Sequence, residues 1–133
     1  MSMCRYIVVL RLSGEIIQSI LKTKSYEFAL NVVSTYKSLI AEKEYILSKQ
    51  FLRSGTSIGA NIREANNAQS KADFIHKLSI SLKESDETEY WLELLKDSFY
   101  IDFENFQKLK NQNQEINRML VSSIKTLKKI TSR

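Results

Sequence analysis

Hydrophobic positions recur at three- and four-residue steps through most of the chain, a spacing that predicts long helices with one apolar face. The first run predicts a helix over residues 25–42 and the second a helix over residues 43–68, whose last three residues turn the chain. The apolar face of the first helix is formed by Phe28, Ala29, Val32, Val33, Tyr36, Leu39 and Ile40. The core positions of the second are Leu47, Phe51, Ser54, Ile58 and Ala65.

Two caps and a regular seam define the other half of the chain. Ser70 followed by Asp73 resembles a capping box, so the third helix is predicted to start near Lys71. Its core positions alternate four- and three-residue steps, the seam of a helical bundle: Phe74, Leu78, Ser81, Ser85, Thr88, Leu92, Leu95 and Phe99. Asp102 can cap a fourth helix that continues to about Ile130 through Phe106, Leu109, Ile116, Leu120 and Leu127. Four such helices with short connections predict an all-α, antiparallel up-down four-helix bundle over residues 21–133.

Residues 1–20 fit this pattern poorly. The apolar run from Tyr6 to Leu10 is broken by Arg11, so it is far shorter than the ~20 residues of a membrane span and also too short for a signal peptide. We expect residues 1–20 to form a loosely ordered N-terminal extension of the bundle domain, and we expect no membrane association.

The second helix also carries a polar stripe with the spacing of a seam. Its members and their expected partners on the third helix form a predicted structural polar network: Gln50, Arg53, Ser54, Ser57, Asn61, Glu64, Lys77, Glu84 and Glu87. Antiparallel pairing around a turn near residue 69 places Arg53 near Glu84 and Glu87, and it places Asn61 and Glu64 near Lys77. Such a network would fix the register of the two helices. Independent surface charges are the alternative.

Gly55 and Gly59 lie within the same helix, four residues apart. A glycine inside a helix costs about 1 kcal/mol relative to alanine. The compensation we expect is the close approach of a neighbouring backbone.

The composition is that of one globular domain without disulfides. The chain has 133 residues, no proline, three glycines and one cysteine. The scarcity of glycine and proline favours helices, and a single cysteine, Cys4, cannot form an internal disulfide or a zinc site. A reducing cytoplasm is therefore the expected location.

No pattern of catalytic residues is present, and we predict neither an enzyme nor a cofactor. His76 is the only histidine. Asp73 and His76 have the spacing of half a di-iron motif, but such a site needs a second histidine. The chain also lacks a phosphate-binding GxxxxGK[ST] loop. Glu84 and Glu87 could act as acid or base, but pairing with Arg53 and Lys77 is the simpler role.

Charge changes sign between the last two helices. Residues 84–104 contain eight acidic residues and one basic, a net charge of −7, whereas residues 105–133 contain seven basic residues and one acidic, a net charge of +6. A basic helix can contact phosphate groups, and the candidate nucleic-acid contacts are Lys108, Lys110, Arg118, Lys125, Lys128, Lys129 and Arg133. The same asymmetry could instead bring neighbouring protomers together, acid to base.

Long motifs carry a family resemblance. The segments LSKQFL, RSGTSIGANIREA and QSKADFIHKLSISLKESDETEYWLELL resemble the 23S rRNA intervening-sequence proteins, also labelled S23 ribosomal proteins, over about residues 22–129. The matching positions are Gln50, Arg53, Ser54, Ser57, Asn61, Glu64, Ser70, Phe74, Lys77, Leu78, Lys83, Glu84, Glu87, Trp91 and Leu95.

The resemblance implies an up-down four-helix bundle that assembles into a ring, typically a homopentamer. Accessory proteins of diversity-generating retroelements are related to this family, and the resemblance implies that they share the assembly and work with nucleic acid and a reverse transcriptase. The link of the family to rRNA rests on the position of its genes within inserted segments of 23S rRNA genes. A shared fold does not by itself transfer a function.

Two functions of different classes follow. The first is a non-enzymatic, ring-forming protein that engages the backbone of structured RNA or DNA through the basic fourth helix. The alternative is an oligomeric scaffold that binds a protein partner without nucleic acid. Trp91 lies one position off the core stripe and is the candidate interface anchor. For Trp91, Tyr90, Phe99 and Tyr100, burial against helix four or another protomer is favoured over base stacking.

Overall fold

The structure is a computed structural model that describes the backbone of residues 3–131 and the side chains of residues 14–130. Within this range the chain forms four helices and no strand: α1 (Met3–Ala41), α2 (Leu47–Ala65), α3 (Lys71–Asp97) and α4 (Phe103–Thr131). The predicted all-α class is therefore confirmed.

Each helix packs against its neighbours along the chain, and α4 closes the bundle against α1. Between α2 and α3, Arg53 contacts Glu84 and Glu64 contacts Lys77, so residue numbers rise on one helix as they fall on the other. This order of contacts is the one that antiparallel neighbours produce.

The apolar faces meet in one core along the axis of the bundle. Its fully buried large side chains come from all four helices: Leu21, Phe28, Leu39, Phe51, Ile58, Ile62, Leu78, Leu92, Leu95, Leu109, Ile116 and Leu120. On α3 the predicted seam is buried from Leu78 to Leu95, including the polar Ser81, Ser85 and Thr88. The assignment of Phe99 to the seam is wrong, because this residue lies beyond the end of α3 and its side chain is 94% exposed.

The predicted start of the first helix at Ser25 is also wrong, because α1 begins at Met3. Gly14 and the β-branched residues before it disfavour a helix only weakly, so the helix continues through them. Residues 1 and 2, and the side chains of residues 1–13, lie outside the described residues, so the extension of residues 1–20 stays a prediction. Near the start of the described side chains, Gln18 Nε2 joins α1 to α2 by donating to the Ile62 carbonyl at 3.0 Å.

The caps predicted for the last two helices are present. Ser70 Oγ accepts a hydrogen bond from Asp73 N at 3.1 Å, and Asp102 Oδ1 accepts one from Asn105 N at 2.7 Å. The second helix instead starts at Leu47, four residues later than predicted. The intervening residues form the turn after α1, and the carboxylate of Glu44 caps α2.

Two helices end in the same way, at the end of the bundle that carries the α1–α2 and α3–α4 connections. After α1, Glu44 N donates to Leu39 O and Lys43 N to Ile40 O; after α3, Tyr100 N donates to Leu95 O and Phe99 N to Lys96 O. This pair of hydrogen bonds is the Schellman motif, which needs a left-handed residue and usually has glycine there. Lys43 and Phe99 take that position, each with φ of 66°.

Candidate functional site

The structure brings the predicted ion pairs between α2 and α3 together. Arg53 Nη1 lies 3.2 Å from Glu84 Oε2, and Arg53 Nη2 contacts Glu87. Lys77 Nζ lies 3.0 Å from Glu64 Oε2, and this hydrogen bond to Glu64 raises the pKa of Lys77. The Arg53 side chain is 49% exposed, so these pairs orient the helices and contribute little to stability.

The short polar side chains of the predicted network do not reach α3. Ser54 Oγ, Ser57 Oγ and Asn61 Nδ2 donate to carbonyls of α2 itself, three or four residues earlier. Gln50 is exposed, and the Lys77 pairing expected for both Asn61 and Glu64 is made by Glu64. The network is therefore narrower than predicted. A buried hydrogen bond does link the two helices, because Ser81 Oγ donates to Ile58 O at 2.8 Å. The sequence prediction treated Ser81 only as a core position.

The two helical glycines face α1. A Cβ on Gly55 would lie 2.8 Å from Val32 Cγ2, and a Cβ on Gly59 would lie 3.2 Å from Ser25 Oγ. Val32 and Ser25 are buried. The glycines therefore allow a close approach of α1. At Gly59 this includes the Ser25 backbone carbon, 3.5 Å away, whereas at Gly55 a valine side chain approaches instead of the predicted backbone.

A second polar cluster joins α3 to α4. Ser85 Oγ donates to Asn113 Oδ1 at 2.8 Å and accepts from Asn117 Nδ2 at 3.1 Å, while Asn113 Nδ2 donates to Ser85 O at 3.0 Å. Asn117 Nδ2 also donates to Asp86 Oδ1 at 2.9 Å. Ser85 and Asn113 are at most 1% exposed. The sequence prediction missed Asn113, although it lies between Leu109 and Ile116 at the four- and three-residue steps of the seam.

The C-terminal half of α4 forms a positive surface, the α4 basic face, made of Arg118, Lys125, Lys128 and Lys129. All four side chains are exposed. Arg118, Lys125 and Lys129 follow steps of seven and four residues, which places them on one side of a helix. Residues 116–131 contain no Asp or Glu, and the nearest preceding carboxylate, Glu115, is held by Lys24 Nζ at 2.9 Å. On α3, Asp86 and Glu89 line the same surface cavity as Arg118.

The other candidate contacts do not extend this face. Lys108 is exposed in the N-terminal half of α4. Lys110 is half-buried, with Nζ 5.5 Å from the centroid of the Phe106 ring. Arg133 lies outside the described residues.

Trp91 is half-buried against the core of the bundle. Its ring lies against the hydrophobic core and meets Tyr90 edge-on, with centroids 5.0 Å apart. Trp91 Nε1 is buried without a hydrogen-bond partner among the described residues. Tyr90 itself is 58% exposed, so the pair reaches the protein surface.

A cleft of about 660 Å³ opens between α1 and α4, at the end of the bundle that carries the α2–α3 turn. Its lining includes Gln18 of α1, Phe74 of α3, and Leu127 and Ile130 of α4. Residues 14–22 of α1 supply one wall. The cleft belongs to the same end of the molecule as the α4 basic face.

The described part of the chain has neither a metal-binding cluster nor a membrane-spanning helix. No three His, Cys, Asp or Glu side chains meet there as a metal site would require. His76 is exposed, and Asp73 accepts a hydrogen bond from Gln69 N at 3.3 Å. None of the helices there has the length and hydropathy to cross a membrane.

Fold and surface together define a small all-α protein, a four-helix bundle with a basic last helix. The family model for 23S rRNA-intervening sequence proteins matches residues 18–122, and the chain belongs to that family.

A solved structure with the same fold supports this assignment. The chain is similar, at 56% identity and a TM-score of 0.80, to a protein of unknown function from the S23 ribosomal protein family of Bacteroides thetaiotaomicron. The match covers 82% of this chain and 98% of the other. A search among curated proteins found no match.

Proposed function

We propose that this protein is a non-enzymatic cytoplasmic protein that binds the backbone of structured RNA or DNA through the α4 basic face. The observation that carries the proposal is the run of exposed cations on one side of α4 in a segment without a carboxylate. Lysine and arginine on such a surface contact phosphate oxygens, which are present in every sequence. Binding is therefore expected to tolerate changes of nucleic-acid sequence.

Membership in the 23S rRNA-intervening sequence family favours RNA as the first ligand to test. The family likeness also supports assembly into a ring, typically a pentamer, which would repeat the α4 basic face around one axis. Repetition would raise affinity for an extended duplex, because several weak phosphate contacts act together.

The test is a salt titration of binding to a fluorescently labelled RNA hairpin. The variant replaces Lys125, Lys128 and Lys129 with glutamine. Each phosphate contact contributes roughly 0.7–0.9 to the slope of log affinity against log salt. The triple variant is therefore expected to bind more weakly at low salt and to show a slope shallower by about 2.

The matched control replaces three other exposed lysines, Lys37, Lys49 and Lys83, with glutamine, which changes the net charge by the same amount. We expect this control to keep most of the affinity and slope. Equal losses in both variants would show that overall charge, rather than the α4 basic face, attracts RNA. Absence of binding to RNA and DNA at low salt would refute the proposal.

A second candidate is an oligomeric scaffold that binds a protein partner without nucleic acid. The observation that favours it is the exposed apolar side of α1, where Ile16 is 60% exposed and Leu30 is 53% exposed. Patches of this kind mark protein contacts. In the RNA experiment, this candidate predicts a stable assembly in sedimentation and no hairpin binding at any salt concentration.

A further inference from the structure

We propose that the connection between α3 and α4 is a docking surface for a lysine- and arginine-rich polypeptide segment. This surface, the α3–α4 corner, consists of residues 97–104, with the sequence DSFYIDFE. It lies at the opposite end of α4 from the α4 basic face, so it is independent of the proposed nucleic-acid binding.

The aromatic rings of the corner point to a binding role. Phe99 is 94% exposed, Phe103 69% and Tyr100 40%. The three rings belong to five consecutive residues, and exposed apolar side chains grouped in this way are typical of contact surfaces. Phe103 is held in place, since its ring stacks on Phe106 with centroids 6.4 Å apart.

Phe99 is unfavourable for folding in two respects. It occupies the left-handed position of the turn, with φ of 66°, where glycine fits without strain and a bulky side chain does not. Its ring gains nothing from burial within the protomer. Phe99 therefore strains the backbone and also exposes an apolar ring to water. Residues with such unfavourable features are typical of sites that contact another molecule.

Charge identifies the chemistry of the partner. The corner contains Asp97, Asp102 and Glu104, all exposed, and no basic residue. The adjacent Lys96 is turned onto the protein, with Nζ 4.3 Å from the Phe106 centroid and 3.5 Å from Asp97 Oδ1. Even with Lys96 included, the segment has a net charge of −2, from one basic and three acidic residues.

Carboxylates beside exposed rings suit a cationic peptide and repel phosphate. A guanidinium or ammonium group can contact a carboxylate and an aromatic face together, as Lys96 does with Asp97 and Phe106 in this molecule. The corner is therefore a poor platform for stacking nucleic-acid bases. Phe99 and Tyr100 are therefore not buried against helix four, and their burial against another protomer stays a prediction.

The experiment measures binding of a fluorescein-labelled peptide of alternating arginine and glycine to the full chain. The matched peptide carries citrulline, a neutral analogue, in place of each arginine. Phe99→Gly is expected to bind the arginine peptide about two- to fivefold more weakly while unfolding at the same or a higher urea concentration. Asp97→Asn with Glu104→Gln is expected to weaken binding and reduce its salt dependence.

Lys43→Gly is the matched control, because Lys43 has the same φ in the equivalent turn after α1 but lies outside the corner. It should not weaken peptide binding. Equal binding of the arginine and citrulline peptides, or unchanged binding by Phe99→Gly, would overturn the proposal. Loss of self-association in Phe99→Gly without peptide binding by the parent would assign the corner to a second copy instead. Hairpin RNA binding by Phe99→Gly should be unchanged, which separates this proposal from that for the α4 basic face.

Discussion

At the residue scale, the start of α2 depends on one buried carboxylate. Glu44 is 8% exposed and accepts hydrogen bonds from Ile46 N at 3.2 Å, Leu47 N at 2.9 Å and Ser48 N at 2.6 Å. Burial alone would raise the pKa of Glu44, but the hydrogen bonds from Leu47, Ser48 and Ile46 outweigh it, so the pKa lies below 4.5. The charged form is therefore favoured by folding.

Glu44→Gln is expected to lower the free energy of unfolding by about 1–2 kcal/mol near neutral pH, because it replaces charge-assisted hydrogen bonds with weaker ones. Since the folded-state pKa is below that of the unfolded chain, the unfolded chain binds more protons in acid. The stabilisation is therefore present above pH 4.5 and is lost as the pH falls through the lowered pKa of Glu44. Urea unfolding at neutral and acidic pH measures both effects.

Glu42→Gln is the control, since Glu42 is exposed two residues earlier. It should change the free energy of unfolding by less than about 0.5 kcal/mol. A difference between the parent and Glu44→Gln that stays constant into acid would contradict the role given to the Glu44 carboxylate.

Several contacts that were not predicted from the sequence are hydrogen bonds within a single turn of the chain. Glu44 can cap α2 only because Lys43 takes a left-handed conformation, and lysine is not the residue usually found there. Ser57 and Asn61 were expected to reach α3, but short side chains on a helix readily bond to the preceding turn. Arg53 has the length to cross to α3, and its pairing was predicted from helix register alone.

At the element scale, α1 and α2 interlock through a glycine. A methyl group on Gly55 would lie 2.8 Å and 2.9 Å from the two γ carbons of Val32, which is itself buried. The valine cannot move aside without disturbing the core. The spacing of the two helices is thus set by the absence of a side chain at Gly55.

Gly55→Ala is expected to destabilise the protein by about 1–2 kcal/mol, because the cost of overpacking exceeds the gain of about 1 kcal/mol in helix propensity. Adding Val32→Ala removes the clashing methyl groups, so the double variant should be less destabilised than the sum of the two single variants. Urea unfolding of all four proteins tests this coupling. Additive effects would show that the helices are not in contact at this point.

In addition to their apolar packing, α3 and α4 are joined by buried hydrogen bonds. Asn113→Ala removes both hydrogen bonds between Asn113 and Ser85 and leaves the buried Ser85 hydroxyl without the acceptor to which it donates, which is expected to cost about 1–3 kcal/mol. In the double variant with Ser85→Ala, the two losses should not add, because they remove the same interaction.

Asn111→Ala is the matched control on the same helix. Asn111 is exposed and accepts a hydrogen bond from Gln107 Nε2 of its own helix at 3.0 Å. Its replacement should change the free energy of unfolding by less than about 0.5 kcal/mol. A comparable loss in Asn111→Ala would attribute the effect to helix propensity and not to the α3–α4 contact.

The helical class and the core seam were predictable because both follow from the periodicity of the sequence. The seam correctly included the polar residues Ser81, Ser85 and Thr88, which are buried. The seam prediction failed at Phe99, where the three- and four-residue steps continue past the true end of α3. Spacing cannot show where a helix stops when no glycine or proline marks the end. The site on α4 was predictable as a cluster of charge, but only the fold separates Lys110, held at Phe106, from the exposed residues beyond Glu115.

At the scale of the whole molecule, charge changes sign along α4 and the connection before it. The acidic α3–α4 corner lies where α4 begins, and the α4 basic face occupies the half of α4 where it ends. The connection before α4 and the C-terminal half of α4 thus have opposite charges, and we assign two different classes of partner to them.

The left-handed turn at Phe99 also has an evolutionary consequence. Replacement by glycine would relieve the backbone and remove an exposed ring, so selection for stability alone should favour that change. Lineages that keep an aromatic residue at this position would keep a fold that is less stable than the glycine variant. Its persistence among natural homologues would therefore measure selection for recognition at the corner, before any ligand is known.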